Sequence, residues 1–206
     1  MDSRLLQLAD SAFPTGAFAH SLGMEALSQL GLLSHTLALE TRLRELVWNT
    51  ATGALPFLNA AYLGDWVLAD RDCDVFLSSH VANRASRVQG RAFLMAAAAM
   101  FGPTACLGQH VAPAMGGVLR QVGVALCDAR QVFLFGALRA ALSAAVRLGV
   151  LGPLEAQGVM FRLHPLLDEA LLATQDLLSD DAVGVSPLVD LAQGAQDRLY
   201  SRLFQS

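Results

Sequence analysis

Five histidines, His20, His35, His80, His110 and His164, are the residues of this chain best suited to metal or proton chemistry. Imidazole is a good ligand for divalent nickel, copper and zinc. A metal site on one helix needs ligands a turn apart, and no two of these histidines stand at i, i+4. There is no Cys-x-x-Cys and no Glu-x-x-His, so neither a zinc cluster nor a ferritin-like di-metal bundle is expected. Each histidine is expected to pack or hydrogen-bond instead, and no dedicated metal site is assigned. Asp70-x-Asp72-x-Asp74 begins like an EF-hand loop, but Val75 stands where that loop needs glycine and Val81 where it needs the bidentate glutamate. The run Asp70–Asp74 reads instead as a charged loop or a helix start, its carboxylates near the positive end of the dipole. Ser11, His20, Ser21 and Glu25 supply the residue types of a hydrolase triad, without the strand-turn-helix elbow that exposes a nucleophile. No catalytic residue is assigned.

All 14 basic residues are arginine. A phosphate-binding P-loop needs its lysine and Schiff-base chemistry needs an amine, so a conventional P-loop GTPase and a pyridoxal-phosphate enzyme are both excluded. A net charge of −4 gives no basic footprint for nucleic acid. Arg84, Arg87 and Arg91 fall at i, i+3, i+7 and share one helix face. Two readings are open: ion pairs with Asp70, Asp72 and Asp74, or a polar strip for a protein partner, where arginine is enriched.

These groups must be positioned by helices. β-branched alternation is nearly absent, and apolar residues recur at helical spacing almost throughout. The expected fold is all-α, a compact single-domain helical bundle over residues 1–206. Helices are expected over Leu37–Trp48, Pro56–Val67, Val75–Phe101, Gln131–Leu148, Leu154–Leu163, Pro165–Leu178 and, with Ser186 as cap, Pro187 to about Phe204. A further short helix is expected after the break that follows Phe101. The stretch Ala92–Leu119 is uncharged, but Gly102-Pro103, Gly108, Pro113 and Gly116-Gly117 interrupt it, which argues against a membrane span. The hydrophobic fraction of 54% and mean hydropathy of +0.44 imply either deep burial or a surface covered by a partner. Cys73, Cys106 and Cys127 are scattered, and Met1-Asp2-Ser3-Arg4 has no charged-then-apolar leader, so reduced thiols in a cytoplasmic protein are expected.

Two segments stand out as strings. The first runs Leu5-Leu6-Gln7-Leu8, then Ser11-Ala12-Phe13-Pro14-Thr15-Gly16-Ala17-Phe18, then His20-Ser21-Leu22-Gly23-Met24-Glu25. Physically it is a helical turn, a Pro-Thr-Gly break, an aromatic hinge and a second helix start. The second closes the sequence: Pro187-Leu188-Val189-Asp190, later Arg198-Leu199-Tyr200-Ser201-Arg202-Leu203-Phe204-Gln205-Ser206. Between them lie Ser86-Arg87-Val88-Gln89-Gly90, His110-Val111-Ala112-Pro113 with Gly116, and Ser143-Ala144-Ala145-Val146-Arg147-Leu148. In this order the segments resemble the UreF family of urease accessory proteins, and the ending resembles its eukaryotic branch.

The resemblance implies an all-α protein that is not an enzyme. It implies a urease maturation factor, a scaffold that with a UreD/UreH-type partner brings the GTPase UreG to apo-urease. Nickel would be handled transiently by the complex, GTP would sit on the partner only, and no cofactor would be tightly bound. A homodimer is expected, with no nucleic acid and no membrane as partner. Pro14, Gly16, His20, Ser21, Gly23 and Glu25 carry the amino-terminal motif as structural or interface residues. On the last helix, Leu188, Leu191, Ala195 and Leu199 are expected to form one apolar stripe, while Tyr200 and Phe204 pair at i, i+4, as do Arg198 and Arg202. Arg198, Tyr200, Arg202, Leu203 and Phe204 are therefore candidate partner contacts beside Arg84, Arg87 and Arg91, since aromatics and arginines make binding hot spots. Docking of that helix on its own bundle is the alternative. Another class of function also stays open: a small-ligand protein or enzyme with an apolar pocket near His20 and His110.

Overall fold

The computed structural model describes residues 3–104 and 108–206; Cys106 falls outside them. Among the described residues there are helices and no strands. The α-helices are α1 Ser3–Ala9, α2 Met24–Gln29, α3 Thr36–Gly53, α4 Leu55–Leu63, α5 Trp66–Phe76, α6 His80–Phe101, α7 Val111–Gln121, α8 Leu126–Arg147, α9 Pro153–Ala173 and α10 Pro187–Gly194.

Helix α8 is the post around which the bundle is built, touching α1, α2, α3, α4, α7 and α9. Leu134, Leu138, Ala141 and Ala145 are fully buried along it. By length and composition α8 would also pass for a membrane span, and here those apolar residues face other helices of the bundle. Leu39, Leu43 and Leu46 of α3 and Val159, Leu163 and Ala170 of α9 close the same core. At about 1.5–3 kcal/mol per large apolar side chain, this burial is the main force holding the bundle.

The tightest packing is between α4 and α7, which run against each other over most of their length. A Cβ on Gly116 would stand 2.2 Å from the Leu58 carbonyl oxygen, so only glycine permits that approach. Buried polar groups then seal helix ends. Arg130 of α8 donates to the Leu171 carbonyl at 2.6 Å and to Thr174 Oγ1 at 2.9 Å, satisfying the end of α9. Asn59, fully buried in α4, donates to the Leu177 carbonyl at 2.8 Å.

Four expectations from the sequence need correction. Asp70–Asp74 is neither a loop nor a helix start; it lies inside α5, with Asp74 in the last turn. Its charge there opposes the dipole and is compensated by Arg87 and Asn83 from α6. The long helix starts at His80, not Val75, because Ser79 offers a cap and Leu77–Ser79 breaks the path. Pro165 does not divide two helices but sits inside α9. A mid-helix proline costs about 3 kcal/mol, and burial of Leu163, Leu166, Leu167 and Ala170 on either side offsets it. The final helix ends at Gly194; a short 3-10 turn over Gln196–Arg198 follows, and then non-helical chain to residue 206. Val189 and Ala192 form its buried face, while Leu191 of the expected stripe is 71% exposed.

Candidate functional site

The amino-terminal motif and the closing segment form one clasp. Phe13 is buried and lies 6.1 Å from the Phe93 ring, ahead of exposed Pro14. Gly16 turns the chain through φ 72° into a 3-10 turn, Ala17–Ala19. Leu22 and Gly23 then both take left-handed φ, 53° and 86°, to start α2. For a leucine that conformation costs about 1–2 kcal/mol. Gly23 has a second reason to be glycine: a Cβ would lie 3.2 Å from both Ala192 Cβ and the Gln193 backbone nitrogen of α10.

This turn aims three groups at the tail. The Ser21 N–H donates to the Ser206 carbonyl at 2.5 Å, and the Gln205 N–H donates to the Ala19 carbonyl at 2.8 Å. His20 Nδ1 hydrogen-bonds Ser206 Oγ. Glu25, only 2% exposed, accepts from the Leu203 N–H at 2.5 Å, the Phe204 N–H at 3.2 Å and Gln196 Nε2 at 2.5 Å. A buried carboxylate without donors would cost several kcal/mol, and no helical tail can present the 203 and 204 amides to it. That is why α10 stops: Gly194 is a weak helix former, and Glu25 needs non-helical donors. Arg147 completes the clasp, its guanidinium 3.8 Å from the Phe18 ring centre and 4.2 Å from that of Phe204.

The expected i, i+4 pairs on a last helix therefore do not form. Phe204 is buried, whereas Tyr200 is fully exposed and Leu203 is exposed. Phe204 belongs to the fold, and Arg198, Tyr200, Arg202 and Leu203 belong to the surface.

The arginine face and the tail meet at Asp197. Arg84 Nη2 donates to its two oxygens at 2.9 and 3.1 Å, His80 Nε2 stands 3.1 Å away, and Arg202 Nη1 reaches it at 3.4 Å. Arg84, helped by His80, holds the Asp197 carboxyl below the usual range against a smaller opposing effect of desolvation. Arg87 pairs with Asp74 and donates to Gln109 Oε1 at 3.3 Å. Of the two sequence readings, the ion pair is realised for Arg87; Asp72 pairs with Arg71, and Asp70 turns to α7. Arg91 is exposed and makes no ion pair among the described residues. A groove of about 450 Å³ runs along Arg84, Arg87 and Arg91, with His80, Asn83 and Ser78 on its walls. Sequence reading missed Asp197 and Arg147 as organisers; their partners Arg84 and Phe18 are more than 100 residues away.

His110 sits in a second polar knot. Its Nε2 is 3.2 Å from Asp74 Oδ1 and its Nδ1 is 3.1 Å from Ser86 Oγ, while Asp70 Oδ1 accepts the Gln109 and His110 N–H groups, each at 2.8 Å. A Cβ on Gly90 would fall 2.0 Å from the Gln109 carbonyl oxygen, so α6 meets the start of α7 backbone to backbone. Burial, partly opposed by Asp70 and Asp74, pushes His110 below the ordinary histidine range; burial and then the Arg84 charge do the same to His20. Asp74 lies well below the usual carboxylate range because Arg87, then Asn83, donate to it.

A cavity of about 460 Å³ lies between α3, α6 and α8, with Phe93, Phe133 and Met115 among its apolar walls. His20, Ser206 and Arg139 line it; of the His110 surroundings, Ser86 and Val111 do. His20 Nε2 is buried without a hydrogen-bond partner. The expected pocket near His20 is present, and His110 itself is not on its wall. Among the described residues no group of three His, Cys, Asp or Glu side chains is placed to hold a metal ion. Cys73 is buried, and burial pushes its thiol far up; Cys127 is exposed.

A family model described as UreF matches residues 34–164. Urease accessory protein F of Arabidopsis thaliana is 35% identical over 97% of this chain and 90% of its own length. The protein of the same name from Oryza sativa subsp. indica is 31% identical over 96% of this chain and 82% of its own. Urease accessory protein UreF of Mesorhizobium japonicum is 33% identical over 98% of this chain and 95% of its own.

Proposed function

The chain belongs to the UreF family of urease accessory proteins, and from that premise we propose that it acts in urease maturation as a non-enzymatic scaffold. It binds a UreD/UreH-type accessory protein, forms a homodimer, and brings the GTPase UreG to apo-urease in the cytoplasm. Nickel passes through the assembly as cargo, and GTP is bound and hydrolysed on UreG. The absence of lysine, and with it of a P-loop, fits that division of labour. Binding energy in such a scaffold goes into assembly and into biasing the conformation of the bound GTPase.

One observation carries the reading. Two candidate contact residues far apart in sequence, Arg84 and Arg202, meet at Asp197, three residues before a fully exposed Tyr200. Exposed arginine, tyrosine and leucine in one region are what a protein interface uses. The test is co-expression with UreD/UreH and UreG proteins, size-exclusion chromatography, and urease activation by nickel. A co-eluting assembly that yields active urease supports the scaffold; a monomer that ignores both partners and yields no activation rejects it.

The cavity beside His20 favours a second reading, a small-ligand site. An apolar space of about 460 Å³ with one unpartnered buried imidazole nitrogen, His20 Nε2, is of a size that takes a small molecule. Thermal-shift screening of the purified chain tests it: a hit lost in His20→Phe supports a ligand site, and no hit removes the reading.

A further inference from the structure

The groove along α6 holds a mismatch of charge that its own chain only partly cancels. Arg84, Arg87 and Arg91 line the groove, Arg202 reaches the same Asp197 as Arg84 does, and the carboxylates of Asp74 and Asp197 offset two of these four charges. Asp197 does so from outside α6, on the short turn Gln196–Arg198, with its carboxylate across Arg84 and His80 at one end of the groove. The other end, at Arg91, is exposed and makes no ion pair among the described residues. The Asp197 side chain is thus a carboxylate ligand of Arg84, which lines the groove, and shows which chemistry that arginine accepts. Its contacts are solvent-exposed, with Arg84, Arg202 and His80 side chains at least half exposed. Exposed ion pairs of this kind are weak and exchange readily for a competing carboxylate.

We propose that this groove is the docking site for a carboxylate-rich segment of a protein partner, which takes Arg91 directly and displaces Asp197 from Arg84. The proposal rests on the scaffold reading above and names the chemistry of one contact within it. Charge complementarity selects the occupant. Arginine suits carboxylates, and Arg84 Nη2 already donates to both oxygens of Asp197. A nucleic acid or an anionic membrane would need a broad basic face, which three arginines along one helix of an acidic chain do not make. Displacement has a further effect: Asp197 lies two residues before Leu199, so freeing it loosens the approach to the clasped tail.

The experiment is fluorescence anisotropy of the full chain with a labelled octaglutamate peptide, competed by pyrophosphate and by a thymidine octanucleotide. The expected result is saturable binding that weakens as salt rises from about 50 to about 300 mM. Arg91→Glu is expected to weaken it about tenfold, since reversing a charge adds repulsion to lost attraction. Asp197→Asn is expected to tighten it about two- to fivefold, because an internal competitor of exposed-pair strength is removed. Helical circular dichroism of both variants checks that they fold; Arg91→Gln, at a position with no ion pair among the described residues, replaces Arg91→Glu if the reversal perturbs the fold. The proposal is overturned if Asp197→Asn binds no tighter, if the Arg91 variants bind as the wild type does, or if the phosphate ligands compete as well as the peptide. Urease activation by wild-type chain is measured in parallel. Activation with no peptide binding removes the groove and leaves the scaffold standing; peptide binding without activation removes the scaffold and leaves the groove.

Discussion

Two polar knots in this molecule use the same ingredients, a buried histidine and a carboxylate, under opposite conditions of packing. At the α5–α6–α7 junction, His110, Asp74, Asp70 and Ser86 tie helices whose backbones already touch at Gly90. At the clasp, His20 and Glu25 hold non-helical chain that has one buried side chain of its own, Phe204, between residues 199 and 204. In the first knot the hydrogen bonds orient helices that apolar burial holds. In the second they supply much of the attachment itself. The difference teaches where change is tolerated: the junction is rigid because it is packed, and the tail is held by few bonds next to a surface rich in exposed side chains.

The comparison breaks first, and with the largest effect, at the close helix contacts. Gly90→Ala or Gly116→Ala places a methyl about 2 Å from a carbonyl oxygen, and overpacking against backbone is expected to remove about 3 kcal/mol or more from the unfolding free energy in urea titrations. A loss under about 1 kcal/mol in both would mean that the helices do not meet this closely. Next comes Glu25→Ala, which leaves the 203 and 204 amides and Gln196 without their acceptor. It is expected to lose about 2–3 kcal/mol and to speed trypsin cleavage after Arg198 and Arg202, with helical circular dichroism retained. Unchanged cleavage would mean that Glu25 does not hold the tail.

Acid sharpens the contrast. Burial lowers the folded pKa of His20 and His110, so below the ordinary value of about 6.5 the unfolded chain binds more protons than the folded one. Stability contributed by the neutral imidazoles is complete above that value and declines as pH falls through and below it. Urea titrations at pH 7.5 and 5.5 are expected to show lower stability at the acidic value, with a smaller drop in His20→Asn and in His110→Asn. A variant with the wild-type pH dependence would remove that histidine from the account. The smallest effect on stability belongs to the exposed tail. Tyr200→Ala with Arg202→Ala is expected to stay within about 0.5 kcal/mol of the wild type, while complex formation with the UreD/UreH-type partner weakens on size-exclusion chromatography. An unaltered complex would place the interface elsewhere.

Much of the fold is legible in the sequence because helical periodicity is a local signal. The ends of α6 at Phe101 and of α8 at Arg147, and the Pro187 start of α10, follow from capping residues and glycines nearby. The misreadings come from distant partners. Asp70–Asp74 looks like a helix start because three closely spaced carboxylates suit one, and it is Arg87 and Asn83 of α6, with the Gln109 and His110 amides, that accommodate Asp74 and Asp70 within α5. Pro165 looks like a junction until the leucines packed on either side are counted with it. The last helix looks continuous through Phe204 because Leu199 keeps the apolar stripe and Tyr200 and Phe204 keep its period, and Glu25, with the weak helix former Gly194, explains its early end. At the site, the sequence offers Tyr200 and Phe204 as equals and does not show which is buried; Phe204 is selected by the Arg147 guanidinium, a partner more than fifty residues away.

The clasp joins His20 to Ser206, a sequence separation of 186 residues. Contacts of such range are the last to repay their loop-closure entropy in folding. On the ribosome the consequence is a matter of timing. Helices α2 through α9 are made long before the tail that closes over the start of α2, so the growing bundle waits with Glu25 facing water. During that interval the wall of the central cavity that Ser206 supplies is missing, and the interior stands open until the final residues of this stretch leave the exit tunnel.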